Sequence, residues 1–138
     1  MGKINVKWVE SKLMVGVDSR GVPLVISSSS ERDPRWLGLK ASDLLLISAA
    51  SCTMYDVVEI LTKQRVSFQA VEVVCDGEQN SDPPHKFVKI HLKYIIRGKV
   101  SADKVERAIN LSQDKYCSVL ATLRPSVEIT SDYEIIED

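Results

Sequence analysis

The stretch LLLISAASCTMYDVVEIL, residues 44–61, constrains the fold more than any other part of the chain. Its apolar residues point in nearly every helical direction, which predicts a helix that is buried on most of its surface. Halfway along, the bulky side chains give way to the small residues Ser48–Ser51 and then to Cys52. Small residues at this point either let another element approach closely or leave a pocket beside the thiol.

The composition predicts an ordinary globular domain. A chain of 138 residues with 44% hydrophobic and 27% charged residues is long enough to bury a core. A net charge of -1 gives no electrostatic attraction to nucleic acid or anionic lipid. The first ten residues, MGKINVKWVE, contain no apolar leader, and we expect no apolar run long enough to span a membrane.

The spacing of polar and apolar residues predicts the element order βββ-α-ββ-α-β. Alternating segments indicate six strands, and the first helix is expected to begin at an N-cap, Ser42, with Asp43 in its first turn and to end near Lys63. The second helix is expected to follow Ser101 as its N-cap. This order predicts an α+β domain with an antiparallel sheet and a long buried central helix. Because two layers would not cover that helix, we expect a second copy of the chain to pack over it.

The three cysteines are an odd number at wide spacing, which predicts reduced thiols in a cytoplasmic protein rather than a disulfide framework. Cys52 has Asp56 one turn later, and a carboxylate there opposes thiolate formation unless a cation intervenes. Cys52 is therefore either a buried cysteine that packs as a small hydrophobe or a nucleophile that needs such a cation. Cys75 lies in a strand and is expected to pack in the core.

Cys117 lies late in the second helix, in the segment DKYCSVL. If that helix breaks near residues 114–116 and a new one begins, Cys117 lies at a helix N-terminus, where the dipole and free N–H groups favour a thiolate. Otherwise it is an interior helix cysteine. His85 and His91 have no cysteine or carboxylate cluster at metal-ligand spacing, so we predict no metal site and no cofactor.

The element order, together with SDLLLISAASCTMYDVVEIL and DKYCSVLATL, resembles the OsmC/Ohr family of osmotically inducible and organic hydroperoxide resistance proteins. The resemblance covers essentially the whole chain and implies a single OsmC-like domain, residues 1–138. The details are more similar to the OsmC-like subgroup than to the Ohr branch, because Ser118 follows the second cysteine where Ohr proteins typically have proline. The resemblance implies an intertwined homodimer in which the first helix is buried between the two copies.

The resemblance also implies an activity, that of a thiol-dependent peroxidase acting on organic hydroperoxides. Cys52 would attack the hydroperoxide, and Cys117 would resolve the resulting sulfenic acid as a disulfide. The family uses an arginine from the first hairpin, for which Arg20 is the best match, supported by a glutamate at the start of the central helix. Ser42 and Asp43 occupy the corresponding positions here, so that glutamate is absent or shortened to Asp43. On a continuous helix Asp43 lies far from Cys52, so it would act through Arg20 or across the dimer.

The expected partners are therefore a second copy of the chain, a small hydroperoxide substrate and a thiol reductant such as a lipoylated protein or a small dithiol. Neither nucleic acid nor a membrane is expected. A different class of function stays open, that of a non-catalytic dimeric binding protein for a small apolar ligand at the subunit interface. The missing glutamate and the acidic neighbour Asp56 favour it. A structural dimer with no small-molecule site is the third interpretation.

Overall fold

The computed structural model describes residues 2–28 and 37–137. Its strands and helices are β1 (Asn5–Glu10), β2 (Leu13–Val17), β3 (Pro23–Ser27), α1 (Ala41–Lys63), β4 (Ala70–Gln79), β5 (Phe87–Arg97), α2 (Ala102–Leu111), α3 (Ser118–Leu123) and β6 (Glu128–Ile136). A π-helical segment, Ser112–Tyr116, joins α2 to α3. The predicted α+β class is confirmed, and most of the loop predicted before α1 lies outside the described residues. Contacts divide the chain into two compact units, Met1–Leu45 and Leu46–Asp138.

The first unit contains an antiparallel sheet in the order β1-β2-β3. The turn between β2 and β3 is held by the Asp18 carboxylate, which accepts the backbone N–H groups of Arg20 and Val22 at 2.8 Å each. Many apolar side chains of this unit are exposed to solvent: Ile4, Val6, Trp8, Val9, Val22, Leu24 and Val25. The alternating pattern predicted half-buried strands, but within the described residues of this unit these apolar side chains are exposed.

The second unit contains a sheet in the order β4-β5-β6. Strands β4 and β5 are antiparallel, as predicted, but β6 runs parallel to β5, with Lys89 opposite Glu128 and Arg97 opposite Ile136. The prediction of an antiparallel sheet is therefore wrong for β6. The physical reason is that α2, the π-helical segment and α3 form a crossover, which returns the chain to the end of the sheet where β5 began.

Helix α1 buries one stripe rather than its whole surface. The fully buried positions are four residues apart along the helix, at Ala49, Thr53, Val57 and Leu61. On the opposite side Tyr55 is 78% exposed, and Ile47 is 47% exposed. The all-round burial predicted from the sequence is thus not reached within one chain, because the sheet and the other helices cover only one side.

The ends of the helices agree with the sequence except at one residue. Helix α1 begins at Ala41, so Ser42 is inside its first turn and not the predicted N-cap. Asp43 is in the first turn and Lys63 in the last, as predicted. Helix α2 follows Ser101 as its N-cap, although the serine side chain makes no capping hydrogen bond. Capping motifs locate a helix end only to within a residue or two.

Within the described residues, α1 alone is long and apolar enough to cross a membrane by length and composition. This corrects the expectation that no apolar run approaches that length. A single helix of this kind is weak evidence for a membrane span, because core helices of globular proteins meet the same criterion.

The core of the second unit lies between one face of the sheet and the three helices. From Ile90 onward, strand β5 alternates fully buried residues with partly exposed ones. Its inward side chains pack with those of α1, α2 and α3, and the fully buried members include Leu61, Ile90, Leu92, Tyr94, Ile96, Val105 and Leu120. Burial of each large aliphatic side chain contributes about 1.5–3 kcal/mol, so this core fixes where α1 and α3 meet.

Candidate active site

The second predicted helix is broken immediately before Cys117. The π-helical segment ends at Tyr116, and Cys117 is extended, with φ -77° and ψ 105°, as the N-cap of α3. Its N–H donates to the carbonyl oxygen of Ser112 at 2.8 Å. The sequence left open whether this helix breaks. The break is confirmed, and the extended residue at which it occurs is Cys117. A π-helical segment is rare and is often found at functional sites.

Cys52 and Cys117, the pair that the family resemblance implies, lie near each other where α1 meets the start of α3. Cys52 lies on α1 and is partly exposed, whereas Cys117 is 2% exposed. The two thiols are close enough to shift each other's pKa: the Cys117 thiol lowers the pKa of Cys52, and Cys52 raises that of Cys117. The sulfur of Cys52 also lies 3.9 Å from the hydroxyl oxygen of Ser118, the first residue of α3. All three cysteines are free thiols, so the pair is in its reduced form.

The surroundings of Cys52 stabilise its thiolate. Partial burial raises the pKa of Cys52, but hydrogen bonds to its sulfur outweigh this effect and bring the pKa below its ordinary value. The donors are the N–H of Val119, the thiol of Cys117, and the hydroxyl and N–H of Ser118. The start of α3 is therefore directed at Cys52. The sequence analysis did not identify Ser118 or Val119 as functional residues. The one feature that pointed to this place was the serine at position 118, where Ohr proteins typically have proline.

The pKa of Cys117 is shifted in the opposite direction to that of Cys52. Burial raises its pKa to about 11, and the neighbouring Cys52 and the charge of Asp56 act in the same direction. The N–H of Leu120 in α3 lowers the pKa of Cys117, as expected at a helix N-terminus, but burial is the larger effect, so the thiolate is not favoured overall. The expected effect of Asp56 is also corrected, since its charge acts on Cys117 and leaves the Cys52 pKa lowered.

The other predicted site residues lie in the first unit. The Arg20 side chain is 84% exposed, and its Nε lies 3.9 Å from the Asp18 carboxylate. Asp43 is exposed in the first turn of α1. The two cysteines belong to the second unit, so the roles of Arg20 and Asp43 remain predictions.

A cavity of about 490 Å³ is lined mainly by residues of α1, α2 and the end of the π-helical segment, and neither Cys52 nor Cys117 is among its lining residues. Two of its lining residues are near the cysteines in sequence: Asp56 is one helical turn after Cys52 on α1, and Tyr116 directly precedes Cys117. Apolar and charged side chains share its wall: Asp56, Glu59, Ile60, Lys63, Gln64, Arg107, Leu111 and Tyr116. Over residues 2–28 and 37–137, no three His, Cys, Asp or Glu side chains are grouped to hold a metal ion.

The fold and the site define an α+β protein with two neighbouring thiols whose pKa values are shifted in opposite directions. The chain belongs to the OsmC-like protein family, whose model matches residues 33–132, and the family predicted from the sequence is confirmed.

Two proteins are similar to the chain, the first in sequence and the second in sequence and in structure. Protein YhfA of Escherichia coli strain K12 is 34% identical over 133 residues, covering 95% of this chain and 96% of YhfA. A hypothetical protein from Aquifex aeolicus VF5 is 28% identical with a TM-score of 0.89, covering 100% of this chain and 98% of its own.

A third comparison concerns the fold alone. An organic hydroperoxide resistance protein OsmC from Legionella pneumophila is 13% identical, with a TM-score of 0.73. The match covers 97% of this chain and 96% of the Legionella chain.

Proposed function

We propose that this protein is a thiol-dependent peroxidase that reduces organic hydroperoxides. The observation that carries the proposal is the placement of the Cys52 sulfur at the start of α3, 3.9 Å from the Ser118 hydroxyl and beside Cys117, the N-cap of that helix. Cys52 has a lowered pKa and is the nucleophile, while Cys117 stays protonated with a pKa of about 11 and is the resolving thiol. The OsmC family and the hydroperoxide resistance protein that shares the fold support the broader role of resistance to peroxides or stress.

In the first step the Cys52 thiolate attacks the terminal oxygen of the hydroperoxide. A sulfur–oxygen bond forms and the oxygen–oxygen bond breaks, so Cys52 becomes a sulfenic acid and the alkoxide leaves and takes a proton from water. Peroxide is reduced by two electrons, and the thiol supplies them. The hydroxyl of Ser118 and the N–H of Val119 hold the thiolate before attack.

In the second step the Cys117 sulfur attacks the sulfenic sulfur of Cys52. The disulfide forms, and the thiol proton of Cys117 leaves with the hydroxide as water, so the step needs no further oxidant. An external dithiol, either a small molecule or a lipoylated protein, then reduces the disulfide and returns both thiols. No metal or organic cofactor takes part in the proposed cycle.

Three further parts of the proposal concern the surroundings of this chemistry. The protein acts as a homodimer, because the exposed apolar residues of α1 and of the first sheet require a partner surface. Arg20 and Asp43 assist at the site, as the family resemblance implies, and the protein works in the reducing cytoplasm. Light scattering checks the first part, since a dimer has twice the 15.4 kDa mass of the chain.

The direct experiment is a thiol count by mass spectrometry before and after one equivalent of cumene hydroperoxide. The expected result is the loss of two thiols and a peptide in which Cys52 is linked to Cys117, while Cys75 stays reduced. Three intact thiols after treatment would refute the peroxidase. A Cys52 that is over-oxidised without a disulfide would refute the role of Cys117.

A second candidate function, a binding protein for a small ligand with an apolar part, is favoured by the cavity whose wall includes Asp56, one helical turn after Cys52. Ile60, Leu111 and Tyr116 contribute apolar surface to a volume large enough for a small organic molecule. Native mass spectrometry of the purified dimer separates the two candidates. A retained small molecule, together with thiols that do not react with peroxide, would support the binding protein instead.

A further inference from the structure

A chain of hydrogen bonds crosses the core beside the thiol pair. The Thr53 hydroxyl lies 2.8 Å from the Tyr94 hydroxyl and 2.7 Å from the Ser112 hydroxyl. The Ser112 hydroxyl donates to Oδ2 of Asp56 at 2.7 Å, and the Gln113 amide donates to the Tyr94 oxygen at 3.1 Å. Thr53, Tyr94 and Ser112 are completely buried. Removal of one buried partner therefore leaves others unsatisfied.

Every hydroxyl in this series of hydrogen bonds accepts from one neighbour and donates to the next, in the same direction. The Ser112 hydroxyl donates to Asp56 at 2.7 Å, with a longer contact to the Thr53 carbonyl oxygen at 3.4 Å, so its single proton is not used on the Thr53 hydroxyl. Ser112 must then accept from Thr53, and Thr53 must accept from Tyr94. The Tyr94 oxygen in turn accepts from Gln113. The hydrogen bonds are therefore donated in one direction, from Gln113 at one end to Asp56 at the other. Aligned hydrogen bonds strengthen one another in a medium of low dielectric constant.

Ser112 connects the two segments that carry the cysteines. Its hydroxyl contacts α1 at Thr53, the residue directly after Cys52, and at Asp56. Its carbonyl oxygen accepts the N–H of Cys117 at 2.8 Å. One buried residue at the start of the π-helical segment thus contacts α1 through its side chain and Cys117 through its backbone.

We propose that Ser112 and Thr53 are positioning residues that hold Cys117 in line with Cys52 for disulfide formation. The inference deepens the proposed function and rests on the same pair of cysteines. Neither residue contacts a cysteine sulfur in this role; each acts through the backbone that carries one. Disulfide formation demands close approach of the two Cα atoms and a narrow range of side-chain geometry, so loss of alignment lowers the effective concentration of one thiol at the other.

The test is the equilibrium between the protein dithiol and glutathione disulfide, measured on the full-length protein. The reaction transfers two electrons from the protein thiols to glutathione disulfide and gives the Cys52–Cys117 disulfide and two glutathione thiols. It uses no peroxide, so its outcome is separate from that of the proposed function. A protein that ignores cumene hydroperoxide but forms this disulfide would refute the peroxidase and leave the positioning role testable.

Two variants remove the connection with little change of shape. Ser112→Ala keeps the carbonyl oxygen that accepts the Cys117 N–H, and Thr53→Val replaces a hydroxyl by a methyl group. Each is expected to lower the equilibrium constant at least about tenfold, as the effective concentration of the thiols falls. Thr53→Ser restores the hydroxyl and is expected to return the constant to within about threefold of the wild-type value.

Two further variants are controls. Tyr94→Phe removes the hydroxyl before Thr53 but leaves the Thr53–Ser112–Asp56 connection, so the constant is expected to change less than about threefold. Val105→Ala creates a cavity in the core on α2 and destabilises the fold without touching the hydrogen bonds, and it is expected to keep the wild-type constant.

Unchanged equilibrium constants in folded Ser112→Ala and Thr53→Val would overturn the positioning role. A loss of the same size in Val105→Ala would also overturn it, because general destabilisation would then explain the effect. If Ser112→Ala does not fold, the comparison of Thr53→Val with Thr53→Ser decides. A wild-type protein that forms no Cys52–Cys117 disulfide in any glutathione buffer would overturn it as well.

Discussion

Cys52 and Cys75 belong to the same unit of the fold, but the regions around them differ. Cys52 lies where α1 meets the start of α3, and backbone and side-chain donors reach its sulfur. Cys75 lies in the middle of β4, opposite Leu92 of β5, where burial and the charge of Asp76 raise its pKa. Partial burial opposes ionisation at both thiols, so hydrogen-bond donors, rather than exposure, make the difference.

The difference follows from the backbone at each place. In a sheet the N–H groups of a strand lie in the plane of the sheet, whereas side chains stand roughly perpendicular to it, so these N–H groups do not reach the strand's own side-chain sulfur. At the start of a helix the first N–H groups have no partner within the helix. The thiol that faces such a start gains donors that a strand thiol lacks. We therefore expect the region around Cys52 to carry the chemistry and Cys75 to be a packing residue.

The largest expected effect is the loss of Cys52 itself. Cys52→Ser replaces the thiolate with a hydroxyl that stays protonated, so the rate of cumene hydroperoxide consumption should fall on the order of 10³-fold or more. Coupled consumption of dithiothreitol measures the rate. The matched control is Cys75→Ser, which is expected to keep the wild-type rate. Equal losses in the two variants would remove the distinction between the two regions.

A smaller loss is expected for Cys117→Ser. The first oxidation of Cys52 should continue, because the serine hydroxyl can take the place of the thiol as a donor to it. Without a resolving thiol the sulfenic acid persists, and turnover with a dithiol reductant should fall roughly 10- to 100-fold. Dimedone labelling of Cys52 followed by mass spectrometry checks the intermediate. Rapid turnover without any labelled Cys52 would contradict the resolving role.

The third prediction concerns the donors from α3. Ser118→Pro removes the hydroxyl and the N–H of residue 118 together, while proline is well accepted at the first position of a helix. The lost hydrogen bonds should raise the pKa of Cys52. Thiolate is the reactive form, and less of it is then present at neutral pH, so alkylation of Cys52 by iodoacetamide should slow about tenfold.

The pH dependence checks the sign of this effect. Alkylation of wild-type Cys52 should rise with pH to a plateau at lower pH than that of Cys75, and Ser118→Pro should move the Cys52 curve to higher pH. Ser118→Ala removes only the hydroxyl and is the graded control, with a smaller shift. Coincident curves for the wild type and Ser118→Pro would mean that α3 does not stabilise the thiolate.

The sequence was sufficient for the elements of the fold, because long periodic segments report burial directly. It gave the order of strands and helices, the helical break before Cys117 as an alternative, and the family. It did not give the direction of β6, since alternation is the same in parallel and antiparallel strands. The sequence also did not predict that only one side of α1 is buried within the chain, because apolar residues all round a helix do not show which element covers each side.

The site was predictable only where side chains carry the chemistry. Cys52 and Cys117 were found from the sequence and the resemblance. The N–H groups of Ser118 and Val119 were not, because backbone donors are common to almost every residue and only the fold directs them. Thr53 and Ser112 are 59 positions apart, and a single sequence has no signal that pairs two small hydroxyl residues over that distance.

The smallest expected effect compares the acidic neighbours of two thiols. The charge of Asp56 raises the pKa of Cys117, and that of Asp76 raises the pKa of Cys75. Asp56→Asn removes one negative charge and keeps an oxygen that can accept from Ser112, so the pKa of Cys117 should fall below its value of about 11. Asp76→Asn should lower the pKa of Cys75 and leave that of Cys117 unchanged.

Each change is expected to be modest, because burial is the larger cause at both thiols. The measurement is the alkylation rate of each cysteine against pH in a Cys52→Ser background, which removes the coupling between the paired thiols. Below the midpoint a lower pKa gives more thiolate, so Cys117 should react about two- to threefold faster in Asp56→Asn. If Asp56→Asn instead slowed Cys117, the carboxylate would be acting through the position of the Ser112 hydroxyl and not through its charge.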